Sequence, residues 1–103
     1  MKTACKTVYE FFKKHRDKWT QGEMAKDEKG MPCSTDDENA CCFCLAGAID
    51  LIYGVSGKCE EADNRVTATL QNKYNYYRHF VTWNDMPKRT VEEVIQLAKE
   101  AGV

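Results

Sequence analysis

The sequence predicts an all-α, mainly helical fold: a compact four-helix domain with a central buried helix and a short turn or β-hairpin insertion after helix 1. Three observations predict it. Residues 39–53, NACCFCLAGAIDLIY, include thirteen of fifteen that are apolar, thiol, aromatic or glycine, so no polar stripe is left to face water. Residues 3–19 place Val8, Phe11, Phe12, His15 and Trp19 at three- and four-residue spacing on one side, with Lys6, Glu10, Lys13, Lys14 and Asp17 elsewhere. Residues 90–102 begin with Thr90 and Glu93 at capping-box spacing, carry Val91, Val94, Ile95, Ala98 and Ala101 on one face, and end at Gly102.

The elements follow in order. The first helix covers residues 3–18 and docks its apolar stripe on the central helix, with His15 at the edge of that stripe as a packed core-edge residue. Between Thr20 and Ser34 the periodicity vanishes. Asp27 and Gly30 form a D-x-x-G turn there, predicting a tight turn or small hairpin that folds Met24 and Met31 back on the core. Thr35 and Glu38 read as the capping box of the central helix, which runs to Tyr53 and stops at a left-handed Gly54. Within it Gly47 costs about 1 kcal/mol of helix propensity relative to Ala, which predicts another backbone packed against that point, read as a helix crossing.

Ser56 is expected to cap a third helix over residues 58–77, whose inner stripe is Ala62, Val66, Thr69 or Leu70, Lys73 or Tyr74, and Tyr77. Phe80, Val81 and Trp83 are expected to plug one end of the bundle as an irregular or short extended segment.

The 103 residues make one domain with one core. The amino-terminal stretch has no apolar run of signal-peptide length and nowhere are there eighteen consecutive apolar residues, so a cytoplasmic location in a bacterial or phage-infected cell is expected. Fifteen basic residues nearly balance sixteen acidic ones, which argues against broad affinity for nucleic acid or anionic membrane. The charge is unevenly placed: residues 1–20 hold six Lys or Arg against two acids, and residues 21–40 hold two against six. The first helix and the following loop therefore differ in sign, and they are able to pair within one chain or between two.

Six cysteines without an export signal are read as reduced thiols acting as small apolar residues. Cys41 and Cys44 make a CxxC, but the acids Asp36, Asp37 and Glu38 before it oppose the thiolate that redox chemistry requires. No metal site is assigned; the competing reading is a four-thiolate zinc site of Cys33, Cys41, Cys44 and Cys59. No cofactor is expected, and no Walker loop, GxGxxG, HExxH, GxSxG or paired catalytic carboxylate motif is present.

Two stretches are candidates for binding. KYNYYRH, residues 73–79, alternates aromatic with basic and amide groups, as base stacking would need; the plainer reading makes Tyr74 and Tyr77 core and Tyr76 half-exposed. Trp83, Asn84, Asp85 and Arg89 read as a capping network in which Arg89 pairs with Asp85, or else as a polar cluster beside Trp19 that binds a small ligand. The candidate ligand-binding residues are Trp19, Tyr76, Arg78, Trp83, Asn84, Asp85 and Arg89.

The combination of WTQGEMAKDEKG at residues 19–30, CLAGAI at 44–49 and WNDMPKRTVEEV at 83–94 resembles an uncharacterised family of short bacterial and bacteriophage proteins. That family carries W-x-x-G…D-x-x-G, C-L-x-G-A and W-N-D…R-T blocks in the same order. The resemblance implies a compact, mainly helical domain in a bacterial or phage setting and brings no activity with it. Cys41, Cys42 and the tyrosines of residues 74–77 fall outside the shared pattern, so a metal site built on Cys41 would be peculiar to this protein.

The expected function is that of a non-enzymatic binding protein with a protein partner: a phage-encoded accessory factor or inhibitor acting on a host or defence component. The alternatives are a small-molecule or nucleotide binder using a cleft around Trp83, Asn84, Asp85 and Arg89, and an enzyme of unrecognised type with Asp85 or His79 as acid or base.

Overall fold

Thr90 opens the last helix, α5 (Val91–Ala101), as expected: its hydroxyl accepts from the Glu93 N–H while the Glu93 carboxylate accepts from the Thr90 N–H. Gly102 ends it at φ 72°, a left-handed position that favours glycine. Val94, Ile95, Leu97, Ala98 and Ala101 are buried beneath it. The computed structural model describes residues 3–103. Lys2, one of the six basic residues of the first twenty, lies outside the described residues.

The first helix is shorter than its apolar spacing predicts. Thr7 caps it by accepting from the Glu10 N–H at 3.0 Å, so α1 spans Val8–Lys14, and a single 3₁₀ turn follows at Arg16–Lys18. Its stripe is correct in kind. Val8, Phe11 and Phe12 are fully buried, and Phe11 meets Phe12 and Phe43 edge-on at 5.4 and 5.8 Å. Arg16 reaches Glu92 of α5 at 2.8 Å, so this basic side chain is paired with the last helix.

The largest departure is in the central stretch. Residues 40–43 are a strand: β2 (Ala40–Phe43) pairs antiparallel with β1 (Ala25–Asp27). The other edge of β1 bonds to the Met31 and Cys33 backbones through the turn at Asp27–Gly30, where the Asp27 carboxylate accepts from the Lys29 and Met31 N–H groups. That turn is the one the sequence predicts, with Gly30 at φ 79°. A uniformly apolar run has the same signature in a buried strand and a buried helix, and here the open edge of β1 decides.

The central helix, α2, is therefore only Leu45–Tyr53, capped by Cys44, whose sulfur accepts from the Gly47 N–H at 3.4 Å. The expected Thr35–Glu38 capping box does not form; the Thr35 hydroxyl donates to the Asp50 carboxylate instead. Gly54 remains right-handed at φ −59°, and the positive φ falls on Gly57. Even so, α2 keeps its central place, packed on α1, α3 (Cys59–Tyr74) and α4 (Phe80–Asn84). The backbone pressed against Gly47 belongs to Met24 at the entrance to β1, not to another helix.

α3 begins without a side-chain cap: Ser56 donates to the Tyr53 carbonyl rather than capping the helix. It ends at Tyr74, three residues before the apolar spacing suggests, with Asn75 left-handed at φ 52° as its cap. Ala62, Val66 and Leu70 of the expected stripe are buried and Tyr76 is half-buried as expected, while Tyr74 and Tyr77 are exposed rather than core. The aromatic plug is helical. α4 is a five-residue helix whose His79 Nδ1 accepts from the Val81 N–H, with Phe80 and Trp83 buried as expected. Met24 and Met31 are exposed rather than folded on the core. Among the described residues the fold is mainly helical, four of its five helices having seven residues or more, with one antiparallel ribbon.

Candidate functional site

α4 is too short to be stable alone and is held by its terminal residue. Asn84 is completely buried, and its amide uses all four of its bonding positions. Oδ1 accepts from the Trp19 indole N–H at 2.7 Å and from the Leu45 N–H at 3.1 Å. Nδ2 donates to the Thr20 carbonyl at 3.2 Å and to the Asp85 carboxylate at 2.9 Å. Leu45 is the first residue of α2, so Asn84 satisfies one of the backbone donors that a helix start leaves unpaired. One side chain thus joins the segment before the hairpin, the start of α2 and the end of α4.

The neighbours extend this junction. The Asp85 carboxylate also accepts from the Gly22 N–H at 2.9 Å, and the Gln21 amide donates to the Asn84 and Met86 carbonyls at 2.8 and 2.9 Å. Arg89 lies 3.8 Å above the Trp83 ring, donates to the Trp83 carbonyl and pairs with Glu93 at 2.9 Å. The expected partner of Arg89 was Asp85. Glu93 takes that role because it lies one helical turn on, at i+4, while Asp85 faces Asn84 and Gly22.

Of the seven candidate ligand-binding residues, Trp19, Trp83, Asn84, Asp85 and Arg89 are thus brought together, bonded to one another or to nearby backbone. Tyr76 has its hydroxyl enclosed without a hydrogen-bond partner, and Arg78 is exposed. Sequence reasoning missed Gln21, Gly22 and the Leu45 N–H. Gly22, at φ 88°, was the available signal, because a left-handed glycine just after Trp19 marks where the chain turns to meet α4.

Two surface depressions lie elsewhere. One of about 180 Å³ is lined by Tyr53, Lys58, Glu61, Ala62, Arg65 and Val103, and an open one of about 530 Å³ runs along α3 past Glu60, Asn64 and Ala68. None of the seven candidate residues lines either.

The cysteines are dispersed. Cys44 lies buried at the start of α2, where burial pushes its thiol up; Cys59 faces the Ile49 carbonyl and Asp50; Cys33 follows the hairpin turn. Cys41 and Cys42 are adjacent, with sulfurs 3.6 Å apart. Among the described residues no three His, Cys, Asp or Glu side chains are placed to share a metal ion.

Tyr74 borders the site, edge-on to Trp83 at 6.1 Å, and donates its hydroxyl to Glu100. Burial, then that hydrogen bond, push the Tyr74 hydroxyl from 10.0 up to about 12. A folded pKa above the unfolded one stabilises the fold fully below pH 10.0, and that contribution is lost as pH rises towards 12. Tyr74→Phe is therefore expected to flatten the alkaline arm of the stability curve between those values. An unchanged slope in urea titrations across that range would count against the pairing.

The fold and this junction define a small, mainly helical domain built around a polar knot, in which no helix among the described residues is long and apolar enough to cross a membrane. The chain belongs to a family of unknown function (DUF6197), whose sequence profile matches residues 15–102. No curated protein and no solved structure matches it.

Proposed function

We propose that this chain is a non-enzymatic protein-binding domain, acting as a phage-encoded accessory factor or inhibitor of a host or defence component. The observation that carries this reading is the exposure of Met24, Met31 and Met86 at 47, 59 and 41%. They sit at either end of the Ala25–Asp27 strand and just beyond α4, on backbone that is pinned rather than loose. Gln21 and Gly22 tie the approach to Met24 to Asn84, Asp85 and Met86, and the Met24 carbonyl accepts from Cys44. Flexible, polarizable thioethers on a fixed frame suit an adaptable protein contact. The resemblance to short bacterial and bacteriophage proteins supports the setting.

The small-molecule reading is weaker because the polar groups of Asn84, Asp85 and Arg89 are already taken up, Asn84 and Asp85 by each other and by nearby groups, Arg89 by Glu93 and the Trp83 carbonyl. Ligand at a hundred times its dissociation constant adds about 2.7 kcal/mol of stability, so a nucleotide panel is expected to leave the melting curve unmoved. The principal test is affinity capture from bacterial host lysate with the full chain and with the Met24→Glu/Met31→Glu variant. A stoichiometric partner is expected on the first and absent from the second, at equal melting temperature. No partner, or equal retention by both, rejects the proposal.

A further inference from the structure

β2 carries one residue more than β1 can match. Lys26 pairs with Cys42 and Asp27 with Ala40, which leaves Cys41 as the extra residue of a bulge. In a regular strand adjacent side chains point to opposite faces, but a bulge re-aims one of them. Here the result is a pair of half-buried thiols, their sulfurs 3.6 Å apart, with Cys42 next to the Asp17 carbonyl in the 3₁₀ turn.

The spacing selects what the pair is suited to hold. With thiolate bonds of ~2.3 Å, a pyramidal or tetrahedral centre needs its two sulfurs about 3.3–3.8 Å apart, whereas a linear two-coordinate cation needs about 4.6 Å. A disulfide is disfavoured, because adjacent Cα atoms lie about 3.8 Å apart, below the ~4.4 Å at which unstrained disulfides begin. Zinc-like ions need four ligands, and among the described residues no third His, Cys, Asp or Glu converges on the pair. A trivalent centre that brings one carbon substituent of its own needs two thiols and no more.

We propose that Cys41 and Cys42 form a two-thiol chelating site for monosubstituted trivalent arsenicals and chemically equivalent thiophiles. The step is an exchange without oxidation: two As–O bonds of R–As(OH)₂ break and two As–S bonds form. Each thiol proton leaves with a displaced hydroxide as water. Burial, then the hydrogen bond with Cys41, push the Cys42 thiol up, so Cys42 brings one of the protons that leave as water. The site is independent of the methionine surface.

The experiment uses the reduced full chain and phenylarsonous acid. Intact mass is expected to show one phenylarsenic group replacing two thiol hydrogens, resistant to excess mercaptoethanol and removed by dimercaptopropanol. Cys41→Ser and Cys42→Ser should each weaken retention about 100-fold, the scale of a lost chelate, while Cys33→Ser leaves it unchanged. On the unsubstituted chain, the adduct should protect Cys41 and Cys42 from iodoacetamide, a readout that does not depend on any variant folding. Undiminished retention by Cys42→Ser, release by the monothiol, or protection at other cysteines would overturn the assignment.

Discussion

Gly47→Ala is expected to destabilise the domain by about 3 kcal/mol, although helix propensity alone gives the opposite sign, a gain of about 1 kcal/mol. Gly47 lies in the first turn of α2, and a Cβ added there would sit 1.8 Å from the Met24 carbonyl oxygen and 2.8 Å from its carbon. The obstruction is main chain, so no rotamer change relieves it. Nor is Met24 free to withdraw. Its carbonyl accepts from the Cys44 N–H at 3.2 Å, and the next residue, Ala25, is fully buried in β1. The ribbon must therefore lift from α2 or α2 must shift at its capped end, and either breaks contacts that the propensity gain does not offset. A loss of this size is a large share of the roughly 5–15 kcal/mol that holds a domain folded. Urea unfolding checks it: the midpoint should fall with the slope preserved. A variant as stable as the parent would mean that the ribbon is not seated on Gly47.

The same residue shows how far the sequence can be read. Gly47 announced a close backbone, because a glycine inside a helix needs a reason, but nothing local said which backbone. The features that rest on neighbours in sequence were legible: the Thr90–Glu93 capping box, the Asp27–Gly30 turn, the Val8–Phe11–Phe12 stripe. The strand at residues 40–43 was not. A segment covered on both sides has no polar face, so neither a period of two nor one of 3.6 shows, and the choice is made by β1 fifteen residues earlier. Tyr77 differs from the expected core position for a related reason: one left-handed Asn75 ends the helix before it, and an asparagine gives little warning of that. At the candidate site, the gathering of Trp19, Trp83, Asn84, Asp85 and Arg89 could be guessed from composition. Their actual partners lie 39 to 65 residues away in several cases and include main-chain groups, which leave no mark in a sequence.

Asn84→Ala is expected to cost about 4 kcal/mol, more than any conservative change on the surface. It leaves the Trp19 indole and the Leu45 N–H without their acceptor and the Thr20 carbonyl without its donor. Each buried group stranded in this way costs about 1–3 kcal/mol. In a chain of this size that loss corresponds to a melting temperature lower by about 20 °C. Shape is not what is lost, and Asn84→Asp separates the two effects. It keeps the volume and the acceptor oxygen but turns the donor into a second carboxylate oxygen facing the Asp85 carboxylate and the Thr20 carbonyl. Burial and the neighbouring charge should raise the pKa of the introduced carboxyl, because both disfavour ionisation. A raised folded pKa stabilises below the unfolded value and loses that contribution as pH rises, so Asn84→Asp should approach the parent on acidification and fall behind at neutral pH. Melting curves across the acidic range, with Trp19 indole N–H resonances as the local reporter, read both. A neutral-pH melting temperature within a few degrees of the parent for Asn84→Ala would show that the knot at the end of α4 does not hold the three segments together.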